Sequence, residues 1–203
     1  MKKALLVGAL VLPLVGLGTH FAVQRPARIE QGFRSGIFEP PREAPEFSLD
    51  GSNGKKLRLS DQFGKAVVLA FGYTSCQFVC PFTLTRLAEV HKKLGSAARD
   101  VQLIYVTVDP QRDSPERLRE HLAGYNPSIL GATGTTDEIA AVLKAYGVHA
   151  EKVASSKPAG YEIAHSSFLY LLDRQGKIRG LVPFGTSADD IVHDLELLLK
   201  TPT

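Results

Sequence analysis

Apart from Met1 the chain has no methionine, and it has only two cysteines in 203 residues. The first absence excludes a metal site built from clustered thioethers. The second makes Cys76 and Cys80 the whole thiol chemistry of the protein. A surplus of one charge is missing from most of the chain as well. Residues 1 to 34 hold five basic residues and one acidic residue, and the remaining 169 hold 19 basic and 20 acidic, so the formal charge of +3 belongs to the amino terminus. A nearly neutral body offers nothing to a nucleic acid, and that partner is excluded. No internal repeat and no low-complexity segment interrupts the chain, whose 44% hydrophobic content suits one main domain with a sizeable core.

Both cysteines fall in one stretch, AVVLAFGYTSCQFVCPFTLTRL, residues 66 to 87. Ala66 to Phe71 is a short apolar run ending at Gly72, which reads as a buried strand. From Pro81 the apolar residues Phe82, Leu84, Leu87, Val90 and Leu94 recur at helical spacing, and a proline suits a first helical turn. Cys76 and Cys80 therefore stand where a strand ends and a helix begins. Unpaired N–H groups and the helix dipole at that place favour thiolate over thiol, the form that attacks disulfides and binds metals. Cysteines four apart can turn both sulfurs to one side, for a disulfide or for two bonds to one soft ion. An inert structural staple is the competing use, but a bridge closing so short a loop contributes only about 2 kcal/mol of unfolded-state entropy.

Lys2 and Lys3 precede ALLVGALVLPLVGLGTHFAV, residues 4 to 23, long and apolar enough for a single transmembrane helix with the remainder outside the cytoplasm. A cleaved signal peptide is the alternative, and no small-x-small cleavage site follows the run. Either way the cysteines are expected in a disulfide-permissive compartment. Residues 24 to 43, rich in proline and without a clear period, read as a linker, and residues 44 to 203 as the folded domain.

Within that domain, residues 46–49 and 56–59 alternate around a turn-rich centre and predict a hairpin. Residues 101–108 predict a second apolar strand, parallel to the first through a right-handed crossover. Ser114-Pro115 opens a helix to about Gly124, residues 128–131 suggest a short strand, and Thr135 with Glu138 caps a helix ending at Gly147. Val148 to Ala164 is a polar excursion long enough to be a functional loop. His165-Ser166 then stands at the mouth of a strand over 167–172, followed by a turn, a strand over 177–182 and a final helix. This is the element order of a thioredoxin-like α/β domain with an amino-terminal hairpin extension. Asp109 ends the second strand, where open α/β sheets gather ligands, and also fits a turn-forming Asp-Pro. Tyr73 and Phe78 can shield a site there, with aromatic packing as the plainer role.

The segments FGYTSCQFVCP at 71–81, VTVDPQRDSPERL at 106–118 and AHSSFLYLLDRQGKI at 164–178 together resemble the SCO/SenC family, the membrane-tethered, copper-handling assembly factors of cytochrome c oxidase. The resemblance runs in order from about Ala44 to Lys200 and implies a thioredoxin-like fold, with Cys76, Cys80 and His165 as copper ligands and Asp109 as a candidate partner behind them. Gln77-Phe78 departs from the family, where proline and an acidic residue often stand between the cysteines. Two thiolates and an imidazole are a soft, low-coordinate set suited to Cu(I), and an added oxygen ligand accommodates Cu(II). Zinc is the competing metal. The other histidines, His20, His91, His121, His149 and His193, have plain explanations as interface or surface residues.

The expected protein is thus a copper chaperone in the cytoplasmic membrane with its domain in the periplasm, or in the mitochondrial inner membrane facing the intermembrane space. Its expected client is subunit II of cytochrome c oxidase or another copper or thiol protein. The rival is a membrane-anchored thiol-disulfide oxidoreductase using Cys76 and Cys80 as a redox pair while His165 merely packs. A peroxide-reducing site is a weaker third reading, since it needs no partner cysteine four residues away.

Overall fold

The computed structural model describes residues 32–156 and 160–200. Strand β4 (Ala66–Gly72) is buried along its whole length, because both faces of the sheet it occupies are covered. Its odd-numbered residues Val67, Leu69 and Phe71 join one core and its even-numbered residues Ala66, Val68 and Ala70 the other. Helix α1 (Val79–Leu94) follows, and strand β5 (Val101–Thr107) returns parallel to β4, with Ala66 opposite Val101 and Gly72 opposite Thr107. The predicted crossover is therefore present.

Around this pair the sheet is completed by β1 (Gly36–Glu43), β2 (Ser48–Gly51), β3 (Lys56–Arg58), β6 (Ile129–Thr133), β9 (Leu169–Leu172) and β10 (Lys177–Val182). The eight strands run in the order β1-β10-β9-β4-β5-β6-β2-β3. Only the adjacent pairs β4–β5 and β5–β6 are parallel; the remaining pairings are antiparallel. Helices α1, α2 (Pro115–Ala123) and α4 (Ala188–Lys200) cover one face, and α3 (Thr136–Tyr146) packs on the other. The Thr135–Glu138 capping box and the left-handed Gly147 bound α3 as expected. This is the mixed α/β, thioredoxin-like arrangement that the element order predicts, and the hairpin β2–β3 extends the sheet at its edge.

Two segments differ from expectation. Residues 36–43 fall inside the predicted linker, yet they form the edge strand β1 against β10. The pairing skips register between Ile37 and Arg42, across Pro40 and Pro41, and an outermost strand tolerates the missing donors. Just before it, the backbone N–H groups of Arg34 and Ser35 donate to the fully buried carboxylate of Asp194, at 2.8 and 2.9 Å, tying this segment to α4. The excursion at 148–164 holds a separate two-stranded hairpin, β7 (Ala150–Ala154) with β8 (Tyr161–His165), in which Ala150 pairs with His165. His165 is thus the last residue of β8 rather than the start of β9. The apolar run at 4–23 lies outside the described residues, and among the described residues no helix is long and apolar enough to cross a membrane.

Candidate metal centre

The carboxyl ends of β4 and β5 and the amino end of α1 meet at the cysteines. Helix α1 has no side-chain cap and no acidic residue in its first turn. Its first N–H groups need acceptors, and the Cys76 sulfur is one of them, receiving the Cys80 N–H at 3.4 Å. Cys80 Sγ lies 3.4 Å from His165 Nε2, and the ligand atoms of Cys76, Cys80 and His165 all fall within 4.8 Å of one another. The structure therefore brings together the three residues singled out in the sequence.

The imidazole is oriented from behind. His165 Nδ1 lies 2.8 Å from the Ser166 carbonyl oxygen, which can only accept, so Nδ1 carries a proton and Nε2 faces the sulfurs. Tyr73 meets the His165 ring edge-on at 5.9 Å, and its hydroxyl accepts the Ile163 N–H at 3.2 Å. Tyr73 is a packing residue. Phe78 is not, being 76% exposed beside an open cleft of about 370 Å³ that Tyr73, Cys76, Val153, Ile163 and His165 also line.

The two thiols are electrostatically unequal. Cys76 is half-buried, and the hydrogen bond from the Cys80 thiol, helped by His165 and by the N–H groups of Cys80 and Phe78 against the cost of burial, holds its acidity well above that of an ordinary thiol. Cys80 is pushed the other way by its bond to Cys76 and by burial. Cys76 is the thiolate and Cys80 the thiol that donates to it.

Asp109 does not join the ligand cluster. Its carboxylate, 1% exposed, accepts the Tyr161 hydroxyl at 2.9 Å and forms a close ion pair with Arg112 Nε. Arg112 in turn lies 3.9 Å above the Tyr161 ring and donates to the Tyr161 carbonyl at 3.2 Å. Asp109 therefore anchors the far end of the strand that carries His165.

Asp113, which no local sequence pattern marks, also supports the site. Fully buried, it accepts the Thr74 N–H at 2.9 Å, the Thr74 hydroxyl and the Thr107 hydroxyl at 2.7 Å. Arg117 adds bonds to Thr74 Oγ1 at 2.8 Å and Ser75 Oγ at 3.2 Å. These two residues fix the backbone that leads into Cys76. The available signal was a second acidic residue in the same VDPQRD stretch that supplied Asp109.

The donor set fits a soft ion. A metal bonded to sulfur at about 2.3 Å and to imidazole nitrogen at about 2.0 Å spans ligand pairs up to roughly 4.6 Å, close to the 4.8 Å spread found here. The SCO1/SenC family model matches residues 37–200. The chain belongs to the SCO1/SenC family. It is 33% identical over 175 residues to the mitochondrial protein SCO1 of Saccharomyces cerevisiae, a match covering 83% of this chain and 59% of that relative's length. Among solved structures, copper-bound ScoI of Bradyrhizobium japonicum is 32% identical and superposes with a TM-score of 0.71 over 76% of this chain and 98% of its own. BsSco, described as a member of the Sco family of cytochrome c oxidase assembly proteins with a disulfide switch, is 26% identical with a TM-score of 0.64, over 80% of this chain and 96% of that one. The family match begins at the edge strand β1, so Gly36–Glu43 belongs with the family fold.

Proposed function

We propose that this protein is a copper chaperone that binds one copper ion through Cys76, Cys80 and His165 and hands it to the copper centre of cytochrome c oxidase, with subunit II or another copper or thiol protein as client. The observation that carries the reading is the convergence of two sulfurs and an oriented imidazole nitrogen within 4.8 Å. Copper in the related ScoI structure supports the choice of metal over zinc, as does a donor set soft enough for Cu(I). Residues 1–23 serve as a membrane anchor and residues 44–203 form the functional domain, now together with β1. The domain works on the extracytoplasmic side, in periplasm or intermembrane space, where both the thiol pair and its disulfide are accessible states.

The chain's own residues divide the work. Cys76, ionised and half-exposed, meets the incoming ion first; Cys80 must give up its proton to complete the site; His165, held by Ser166, supplies nitrogen without rotating. Metal analysis of the full-length protein tests this. Reduced protein retains about one copper, and oxidised protein, whose disulfide consumes both thiolates, retains none. Stoichiometric copper on fully oxidised protein, or zinc held in preference to copper, refutes the assignment.

One observation favours a second reading. A half-exposed Cys76 thiolate beside a buried Cys80 thiol is also the arrangement of an attacking and a resolving cysteine, so thiol-disulfide exchange with a client is the alternative activity.

A further inference from the structure

Tyr105 stands on β5 opposite Ala70 and is completely buried. Its ring fills the layer between the sheet and α1, beside Val68, Ala70, Leu84 and Leu87. Its hydroxyl makes no hydrogen bond of regular geometry among the described residues, and the polar atom that acts on it is the Cys80 sulfur. Phenylalanine would occupy the same volume without burying a polar group, so packing alone does not account for the oxygen. What the oxygen does face is sulfur. A Cβ placed on Gly72 would overlap the Tyr105 hydroxyl and lie 2.8 Å from Cys80 Sγ. The missing side chain at Gly72 is therefore the gap in which the phenol and the thiol meet.

Resting on the copper reading above, we infer that the Tyr105 hydroxyl donates a hydrogen bond to the Cys80 sulfur when that sulfur is a metal-bound thiolate, and thereby shifts the site's preference toward Cu(I). A neutral thiol is a weak acceptor, which explains the lack of a regular bond in the metal-free state; a thiolate is a strong one. A donor to a copper-ligating sulfur withdraws electron density from the copper–sulfur bond. The more covalent Cu(II) form loses more by this than the Cu(I) form. Tyr105 touches a ligand rather than the ion, so it is a positioning and tuning residue. No new atom is transferred, and the effect is on the relative affinity for two oxidation states.

The test is Tyr105→Phe in the full-length protein, loaded with Cu(II) and titrated to Cu(I) by optical spectroscopy. The expected result is a thiolate-to-Cu(II) absorption band moved to lower energy and a preference for Cu(I) over Cu(II) reduced about tenfold, which for a one-electron couple is about 59 mV of reduction potential. Copper stoichiometry and folding stay as in the wild type, because the hydroxyl has no other partner to lose. A wild-type band with an unchanged band and ratio in the variant overturns the inference while leaving the copper reading intact. A variant that fails to fold also overturns it, by showing that the hydroxyl has a structural partner. Wild-type protein that retains one Cu(I) but shows no thiolate-to-Cu(II) band overturns this inference alone, whereas wild-type protein that retains copper in neither state sinks the copper reading and this inference with it.

Discussion

Replacing His165 by alanine separates the two activities that the site supports. Three local contacts disappear with the imidazole: the Nδ1 bond to the Ser166 carbonyl at 2.8 Å, the Nε2 contact with Cys80 Sγ at 3.4 Å and the edge contact with Tyr73 at 5.9 Å. Each is worth about 1 kcal/mol, so the fold survives with a melting temperature lowered by several degrees. In the proposed copper site the metal loses one of three donors. Rearranging a residue behind a ligand typically costs about 10- to 100-fold in affinity, and removing the ligand itself should exceed that for Cu(II), which depends on nitrogen and oxygen donors. Cu(I), still held by two thiolates, should weaken by about tenfold. Disulfide exchange needs only the Cys76 thiolate and the Cys80 sulfur. His165 is a smaller contributor to Cys76 ionisation than the Cys80 thiol is, so the rate of oxidation by a small disulfide should stay within a few-fold of wild type. The assays are competitive copper titration in both oxidation states, stopped-flow oxidation, and oxidase assembly in cells. Full copper affinity in both states with normal oxidase assembly would make His165 a packing residue and put thiol exchange first.

The parts of the fold that the sequence reveals are those whose burial obeys a period. Ala66–Gly72 divides its side chains between two covered faces, α1 repeats Leu84, Leu87 and Leu94 on one side, and Thr135 with Glu138, three positions apart, marks a helix start from two residues alone. The hairpin β7–β8 shows no such signal. Its strands pair only with each other, β7 exposes four of its five residues, and nothing in AEKVA alternates. His165 consequently read as the mouth of the next strand, though its neighbourhood with the cysteines was still found. The strand β1 was hidden by its prolines, which an edge position tolerates. Asp113 was obscured for a different reason. Beside Ser114-Pro115 it looks like the flank of a helix cap, and its bonds run to Thr107 and to Thr74, 39 positions away. No local pattern carries that information. Tyr105 is similar, since its hydroxyl acquires meaning only when the bare Gly72 lets it approach a sulfur 25 residues earlier, at the start of α1.

Asp109→Asn should keep one copper per protein while slowing copper transfer to the client by about 10- to 100-fold, because it loosens Tyr161 and Arg112 and with them the strand carrying His165; unchanged transfer would reduce Asp109 to a turn residue. Asp113→Ala should cost about 3–5 kcal/mol in urea unfolding, since it strips a buried carboxylate from Thr74, Thr107 and Arg117, and a loss under 1 kcal/mol would show that the loop before Cys76 holds itself. The unequal thiols give the last prediction, through pH. The Cys76 thiolate, favoured in the folded protein, persists as pH falls below the usual thiol range, whereas Cys80 keeps its proton as pH rises through it. At pH 6 iodoacetamide should therefore label one cysteine quickly, mapped to Cys76, and the other slowly. The same inequality fixes the protons that copper displaces from the sulfurs: at pH 8 binding Cu(I) should release about one thiol proton, that of Cys80, because the other ligand sulfur has already lost its own. Calorimetry in buffers of different ionisation enthalpy reads this number directly. Release of two protons would mean that Cys76 is an ordinary thiol, and the division of labour between the two sulfurs would have to be abandoned.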